Sequence, residues 1–430
     1  MDTGKLIRRC WHFALTQEAS PAAIQQTEKF FAFSAGMMFA KLLHIAAQVL
    51  LGRQAGPELY GKITVILLLS SYFSMPVVSG WGMVFTKISA TEEEQAKKYQ
   101  SLKSLLAVVL PSCLLTLALL ILLAKPLAWL VDIDSQMMQL TLLMTVFYSW
   151  WLLGKRISQG FQLWHRYILI ENLCAACILA GVIGLSLWLS VNLAAVCLVF
   201  FAGYLLAGLL VVKAIWKALF SQVSIAYIRD MLSHGWFLFL SGLVEVATLS
   251  IDCLIINRML GSEQAGIYQA HFFSVSVIIS SFTNVLLVYI FPFFCQDKDR
   301  RISRAMKELT KIQYITVLAV SLITGSLVLW IYAFPVSLPL FALLCLFSPV
   351  HFHVQLKSWY IASRGASESR ITLYSQLILL AVNVLLLFAL LPSTGIAASG
   401  ISLLFAACAS LAYLVYSEKS IVQREASCAA

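Results

Sequence analysis

Apolar runs of about 20 residues, each long enough to cross a bilayer as a helix, recur along the chain with little between them. They fall at about 30–53, 60–88, 102–124, 136–155, 167–190, 193–213, 233–257, 264–293, 312–334, 336–356, 371–391 and 396–416. Twelve such runs leave no room for a sizeable soluble domain in 430 residues. Apolar residues make up 60% of the chain and charged ones 12%, against about 45–50% and 25% in soluble proteins. A water-soluble enzyme, a nucleic-acid binder and a disordered scaffold are excluded, because none of them can hide that much apolar surface. The expected fold class is all-α and polytopic, with about 12 transmembrane helices. Pro76, Gly80 and Gly82 in the second window and Pro292 in the eighth predict bent or broken helices.

The net charge of +10 is mostly topology. With the N-terminus placed inside, 25 of the 30 Lys and Arg lie on that side. Only Arg53, Lys62, Lys125 and Arg258 lie on the other, and Lys41 lies within the first window. That asymmetry follows the positive-inside rule and supports an even number of spans, so both termini are expected in the cytoplasm. No cleavable signal peptide is expected before the first window. The ten cysteines are scattered. Cys174-x-x-Cys177 lies on one helical turn inside a span with no second Cys/His cluster, which reads as packing rather than metal or redox chemistry. No metal site and no catalytic constellation is expected.

An internal repeat appears at an offset of 205 residues. After the first span the chain reads Arg53-Gln-Ala-Gly56-Pro57-Glu58-Leu-Tyr-Gly61, and after the seventh Arg258-Met-Leu-Gly261-Ser262-Glu263-Gln-Ala-Gly266. Both fit R-x-x-G-x-E-x-x-G at the same topological place. The repeat predicts two parallel six-helix bundles, 30–213 and 233–416, related by an axis along the membrane normal. A cytoplasmic segment (1–29), a cytoplasmic linker (214–232) and a tail (417–430) complete the expected organisation.

This arrangement resembles the polysaccharide flippases, of the superfamily that also contains the multidrug and toxin extrusion (MATE) transporters. The resemblance rests on Leu51–Gly61, on Ile251-Asp252-Cys-Leu-Ile-Ile-Asn257 leading into Gly261–Tyr268, on Gln159-Gly160-Phe161-Gln162, and on Gly395-Ile-Ala-Ala-Ser-Gly400. It implies a MATE-like pair of bundles around a central cavity. It also implies movement of undecaprenyl-diphosphate-linked oligosaccharide from the cytoplasmic to the outer leaflet by alternating access, for surface polysaccharide or O-antigen biosynthesis. The implied location is the bacterial cytoplasmic (inner) membrane. Membrane lipid and the polysaccharide polymerase machinery are implied partners, nucleic acid is not, and no cofactor is implied beyond a coupling proton or sodium ion.

A diphosphate-linked glycan needs a wet, polar and cationic path, and an ionisable residue at mid-membrane is costly enough to mark one. Ser34, Lys41, His44 and Gln48 share one face of the first span, and Ser241, Glu245, Thr248 and Asp252 share one face of the seventh. Lys41 is the candidate diphosphate ligand, because its ammonium is a compact phosphate partner and it lies too deep for easy snorkelling. His44 and Gln48 extend that candidate substrate site. Arg53 and Arg258 either join it through bidentate guanidinium–phosphate bonds or anchor the interface. Glu245 and Asp252 either carry a coupling proton or cation or pair with Lys41 or Arg258 as structural glue. Glu171 and Asn172 are expected to be solvated or to cap the fifth span. The tryptophans, Trp129, Trp150, Trp216 and Trp330 among them, are expected at interfacial belts.

Two alternatives stand beside the flippase. A cation-coupled drug exporter of the same superfamily suits the acids and aromatic residues but not Lys41. A polysaccharide polymerase or ligase needs a large extracytoplasmic loop, and the loops expected on that side are short.

Overall fold

The computed structural model describes residues 21–188, 191–283, 287, 301–362 and 366–429, and every regular element in them is helical. In chain order these are α1 (Pro21–Ser74), α2 (Gly80–Thr91), α3 (Gln95–Leu122), α4 (Ala124–Val131), α5 (Ser135–Gly160), α6 (Trp164–Trp188), α7 (Leu193–Leu209) and α8 (Val212–Leu219). They continue as α9 (Ile225–Leu260), α10 (Ser262–Phe272), α11 (Arg301–Tyr332), α12 (Leu338–Ala362), α13 (Ala366–Thr394) and α14 (Ala397–Ala429). A π-helical turn at Met75–Ser79, which contains Pro76, joins α1 to α2. A second at Phe273–Val277 carries α10 on to Thr283. Pro292 lies outside the described residues.

Among the described residues nine helices are long and apolar enough to cross a membrane, and the pair α7–α8, bent by 54°, makes a tenth. One of the nine, Ala32–Ser89, is broken at Gly56 (φ 73°, ψ 170°). Counting its two arms separately and adding α9 accommodates the twelve passes. The chain is an all-α polytopic membrane protein.

Side-chain bonds show that the chain doubles back at both repeat glycines. The Tyr60 hydroxyl reaches Gln48 Oε1 at 3.5 Å, whereas the same separation along a straight helix is about 18 Å. The Tyr268 hydroxyl reaches Asp252 Oδ2 at 3.1 Å, where a straight helix would hold them about 24 Å apart. The turns are at Gly56 and at Gly261 (φ 88°, ψ 170°), a backbone region that side chains disfavour. The first glycine of each repeat is therefore a hinge of the backbone.

The second glycine of each repeat has a different cause. A Cβ on Gly61 would strike the Ser262 carbonyl oxygen, and one on Gly266 would strike that of Pro57. The two hairpins thus meet backbone to backbone, the start of each returning helix lying against the other. At the opposite end, a Cβ on Gly80 would strike the Gly235 carbonyl, so α2 and α9 also touch through glycine.

Burial follows the logic of a lipid solvent. Leu114, Ile121, Leu122, Ile323, Trp330 and Leu385 are exposed, a display that would drive aggregation in water. Among the described spans the most apolar, α3, is mostly exposed, and one of the least apolar, Ser262–Thr283, is the most enclosed. Ser70, Thr141, Thr145, Thr248 and Ser274 each donate to the carbonyl one turn back, which satisfies their hydroxyls without water.

The segment expected as a linker, 214–232, is helical at both ends, since α8 and α9 flank a turn at 220–224. This turn is tied to the preceding helices: the Ser224 amide donates to Ser104 Oγ (2.9 Å), Tyr227 to Glu92 Oε1 (2.9 Å) and Lys103 to the Leu219 carbonyl (2.7 Å). Trp129, Trp216 and Trp330 are exposed as a belt requires. Trp150 instead packs on Gly208 inside the helix cluster of α5 and α7.

Candidate functional site

The charged centre of the first half is built by α1, α5 and α6. Lys155 on α5 and Glu171 on α6 form a close ion pair, their side chains only 17% and 8% exposed. The expectation of a solvated or capping Glu171 is therefore wrong. α6 begins at Trp164, so Glu171 lies well inside the helix and is enclosed by its neighbours rather than placed at an end. Asn172 likewise turns inward and donates to the carbonyls of Gly36 (3.0 Å) and Ile168 (2.9 Å).

Aromatic rings line the pair. The Lys155 ammonium sits 4.2 Å from the centre of the Trp151 ring and 5.6 Å from that of Tyr167, within cation–π range. Tyr148, Trp151 and Tyr204 contact one another with ring centres 5.3–5.4 Å apart. Glu171 also interacts electrostatically with Lys41 and His44, both of them half-buried on the first arm of α1. Among the described residues the cluster holds two lysines against one carboxylate, which leaves it cationic even with His44 neutral.

Gln48, further along the same face, belongs to a different network. It accepts from Tyr60, whose hydroxyl is 3.0 Å from that of Tyr332 on α11. Gly52 leaves the space against which the Tyr332 ring packs. Gln48 thus ties the first hairpin to the second half, away from Lys155.

In the second half, Asp252 on α9 is 2% exposed. It accepts from Asn383 Nδ2 of α13 (2.5 Å) and from the Tyr268 hydroxyl of α10 (3.1 Å). The expectation that it pairs with Lys41 or Arg258 does not hold: its partners are neutral. Glu245 lies on the same helix, and its side chain is outside the described residues. Lys357 sits near the end of α12 much as Lys155 sits near the end of α5, and it pairs with Glu418 at 2.5 Å. Each half therefore neutralises a lysine at that depth, and Lys41 is the additional cation of the first.

The outer repeat residues are structural in their surroundings. Arg258 is 38% exposed, 3.3 Å from Asp132 Oδ1, and its guanidinium lies 5.0 Å from the Trp129 ring. It is a rim contact between the halves, not part of the Lys41 cluster. Beside it, Asn257 donates to the Val131 carbonyl (2.7 Å) and accepts from Ser262 (3.0 Å). Arg53 is exposed. Glu58 pairs with Lys62 at 2.6 Å, and Glu263 is exposed. An exposed ion pair is worth about 0–1 kcal/mol, so Arg258→Ala should leave the amount of folded protein in the membrane near that of the wild type. A large loss of folded protein, measured as detergent-resistant monomer in the membrane fraction, would show that Arg258 does more than bridge the rim.

Among the described residues no group of three or more His, Cys, Asp or Glu is placed to hold a metal ion.

The family model for polysaccharide biosynthesis proteins matches residues 26–297. The chain belongs to the polysaccharide biosynthesis protein family. Among solved structures, this family member is similar to an inward-facing multidrug resistance MATE transporter of the MOP superfamily (TM-score 0.66, 12% identity, 89% of this chain and 94% of that one). It is similar to the lipid II flippase MurJ in an inward closed conformation (TM-score 0.63, 12% identity, 90% and 87%). It is also similar to a MOP superfamily transporter from Pyrococcus furiosus whose binding pocket is described as having reverse polarity (TM-score 0.57, 13% identity, 91% and 95%). These likenesses establish a MATE-like fold. No curated protein sequence matches the chain.

Sequence reasoning missed Lys155, Glu171 and Asn383 as site residues of this family member. In the sequence Lys155 ends a window and reads as the start of the basic loop that follows. An aromatic residue one turn before a lysine, as Trp151 is before Lys155, was the available signal. Asn383 was a lone amide inside the eleventh window, and such residues seek a buried partner.

Proposed function

We propose that this protein is a flippase for undecaprenyl-diphosphate-linked oligosaccharide, working by alternating access in surface polysaccharide or O-antigen biosynthesis. In this reading it lies in the bacterial cytoplasmic membrane with both termini inside, and its working partners are the lipid-linked glycan and the polymerase machinery. The observation that carries the reading is the excess cation at Lys41 beside the Lys155–Glu171 pair, inside a polysaccharide biosynthesis family member. The ammonium groups hold the diphosphate, and the aromatic rings of Tyr148, Trp151 and Tyr204, packed on one another, wall the cluster. A charged hydrogen bond is worth about 1.5–3 kcal/mol, roughly 10- to 150-fold in affinity. Lys41→Ala should therefore cut surface polysaccharide at least about tenfold and leave lipid-linked oligosaccharide accumulating inside, with protein still in the membrane. Unchanged glycan in that variant contradicts the reading.

Asp252 is the coupling residue in this proposal. A buried carboxylate held by one amide and one phenol has room in its chemistry for a proton or a sodium ion. Asp252→Asn should make glycan export insensitive to collapse of the proton gradient or removal of sodium, and a wild-type response to both would remove Asp252 from coupling. The aromatic box also suits a cationic drug, but Lys155 already occupies the Trp151 face at 4.2 Å, which favours an anionic cargo.

A further inference from the structure

A second polar site lies inside the second half, away from the Lys155 cluster and further from the Gly261 turn than Asp252. A small cavity there is lined by Ser276, Ser280 and Thr283 on one side and by Ser348, His351 and Gln355 of α12 on the other. Ser276 belongs to the π-helical turn Phe273–Val277, a local widening of the helix that is frequent at functional sites. The Ser276 and Ser348 hydroxyls are 3.4 Å apart. Gln355 Nε2 lies 3.1 Å from His351 Nε2. His351 is 6% exposed, and its Nδ1 and the Gln355 Oε1 have no hydrogen-bond partner among the described residues.

His271 shows what a packing histidine looks like in the same half. Its Nδ1 meets the Ile267 carbonyl at 2.7 Å, and its Nε2 accepts from the Ser337 amide at 3.1 Å. Both nitrogens are committed, and a second proton would break the Ser337 bond. His351 is built the opposite way. With the Gln355 amide nitrogen towards it, Nε2 accepts and the ring is neutral, its one proton on Nδ1. With the amide turned over, Oε1 accepts from an Nε2–H and the ring can hold a second proton. The cavity has room for about one water, placed among serine hydroxyls, to receive the Nδ1–H in either state. Leaving such a polar atom unpaired is unfavourable, and a water there removes that cost.

The surroundings leave the proton to this arrangement. Facing His351 across the cavity are the neutral Ser276, Ile279, Ser280 and Thr283, and Phe347 stacks on its ring at 5.0 Å. On its own helix, His353 lies against Tyr314 of α11 (5.8 Å) and Lys357 pairs with Glu418 of α14. Among the described residues no charged group acts on His351 itself.

We propose that His351, with Gln355 and the hydroxyl-lined cavity, is a proton-binding site of the second half, filled and emptied as the protein exchanges its two access states. A hydronium ion from solvent gives its proton to Nε2 and leaves as water, the Gln355 amide turns to accept the new N–H, and release returns the proton to water. The proposal rests on the transporter reading and adds to it a site distinct from Asp252.

The full chain, labelled with carbon-13 in its histidine rings and held in lipid nanodiscs, tests this. Of seven histidine signals, the one lost in His351→Gln identifies the residue, and His351→Asn supplies the assignment if that variant does not fold. The wild-type signal should titrate within the pH range over which the protein stays folded. Gln355→Leu should move that midpoint by about 0.5–1 pH unit, the worth of one hydrogen bond. The distance between spin labels at Lys97 and Arg370 should change with pH in the wild type and not in His351→Gln. A His351 signal that stays constant over this range, or equal pH response of the label distance in both proteins, overturns the proposal. Neither result bears on the glycan phenotype of Lys41→Ala, so failure of this site and failure of the transporter reading are separable.

Discussion

Lys155→Ala should sharply lower the amount of folded protein in the membrane, while Lys155→Met with Glu171→Gln restores the protein but not its export of glycan. The single change leaves the Glu171 carboxylate, 8% exposed, without its partner. Removing one member of a buried pair costs about 3–5 kcal/mol, a large part of the 5–15 kcal/mol by which a typical protein is stable. Lys41 and His44 act on Glu171 as well, so the lower part of that range is the expected cost. The double variant removes both charges and keeps the volume, which is often neutral for stability. Folded protein is read from detergent-resistant monomer in the membrane fraction, and export from surface polysaccharide. Wild-type polysaccharide in the double variant would confine Lys155 and Glu171 to a structural role.

Gly61→Val, and separately Gly266→Val, should hold the two hairpins apart and stop the cycle with folded protein still in the membrane. Each glycine faces the carbonyl oxygen of the other hairpin, Gly61 that of Ser262 and Gly266 that of Pro57. Backbone cannot swing aside as a side chain can, so an added side chain must separate the helices. Overpacking of this kind costs about 1–3 kcal/mol. If the contact forms in only one access state, that cost shifts the equilibrium by roughly 5- to 150-fold against it. Surface polysaccharide should fall accordingly, and spin labels on Lys62 and Glu263 should report a longer distance than in the wild type. Unaltered distance and export in both variants would show that the hairpins do not need close approach.

The membrane fold was legible because its cause is composition: a chain with this few charges has no aqueous solution to its packing. The repeat was legible as a pattern but not as a cause. R-x-x-G-x-E-x-x-G pointed to a shared turn, and the structure separates its parts into a positive-φ glycine, a glycine of close approach, and exposed acids and arginines at the rim. Distance along the sequence hid the rest. Glu171 and Lys155 belong to different helices, and each looked like an end residue until α5 and α6 were seen to run past them. Asp252 stands out in the sequence as a costly intramembrane carboxylate, but its neutral partners Asn383 and Tyr268 come from two other helices, and no spacing rule links them. The polar face of the first span was read as one site, whereas the structure divides it between the Lys41–His44 pair and the Gln48–Tyr60–Tyr332 network.

The central claim is that the cationic cluster of Lys41 and Lys155 carries a diphosphate-linked glycan across the membrane. Its most direct test uses the purified protein in lipid vesicles loaded with fluorescent undecaprenyl-diphosphate oligosaccharide, with quenching by a membrane-impermeant reagent reporting the outer leaflet. The account predicts that wild-type vesicles become fully quenchable with time and that Lys41→Ala vesicles stop at the half accessible from the start. Equal quenching in both, or none beyond protein-free vesicles in the wild type, contradicts it.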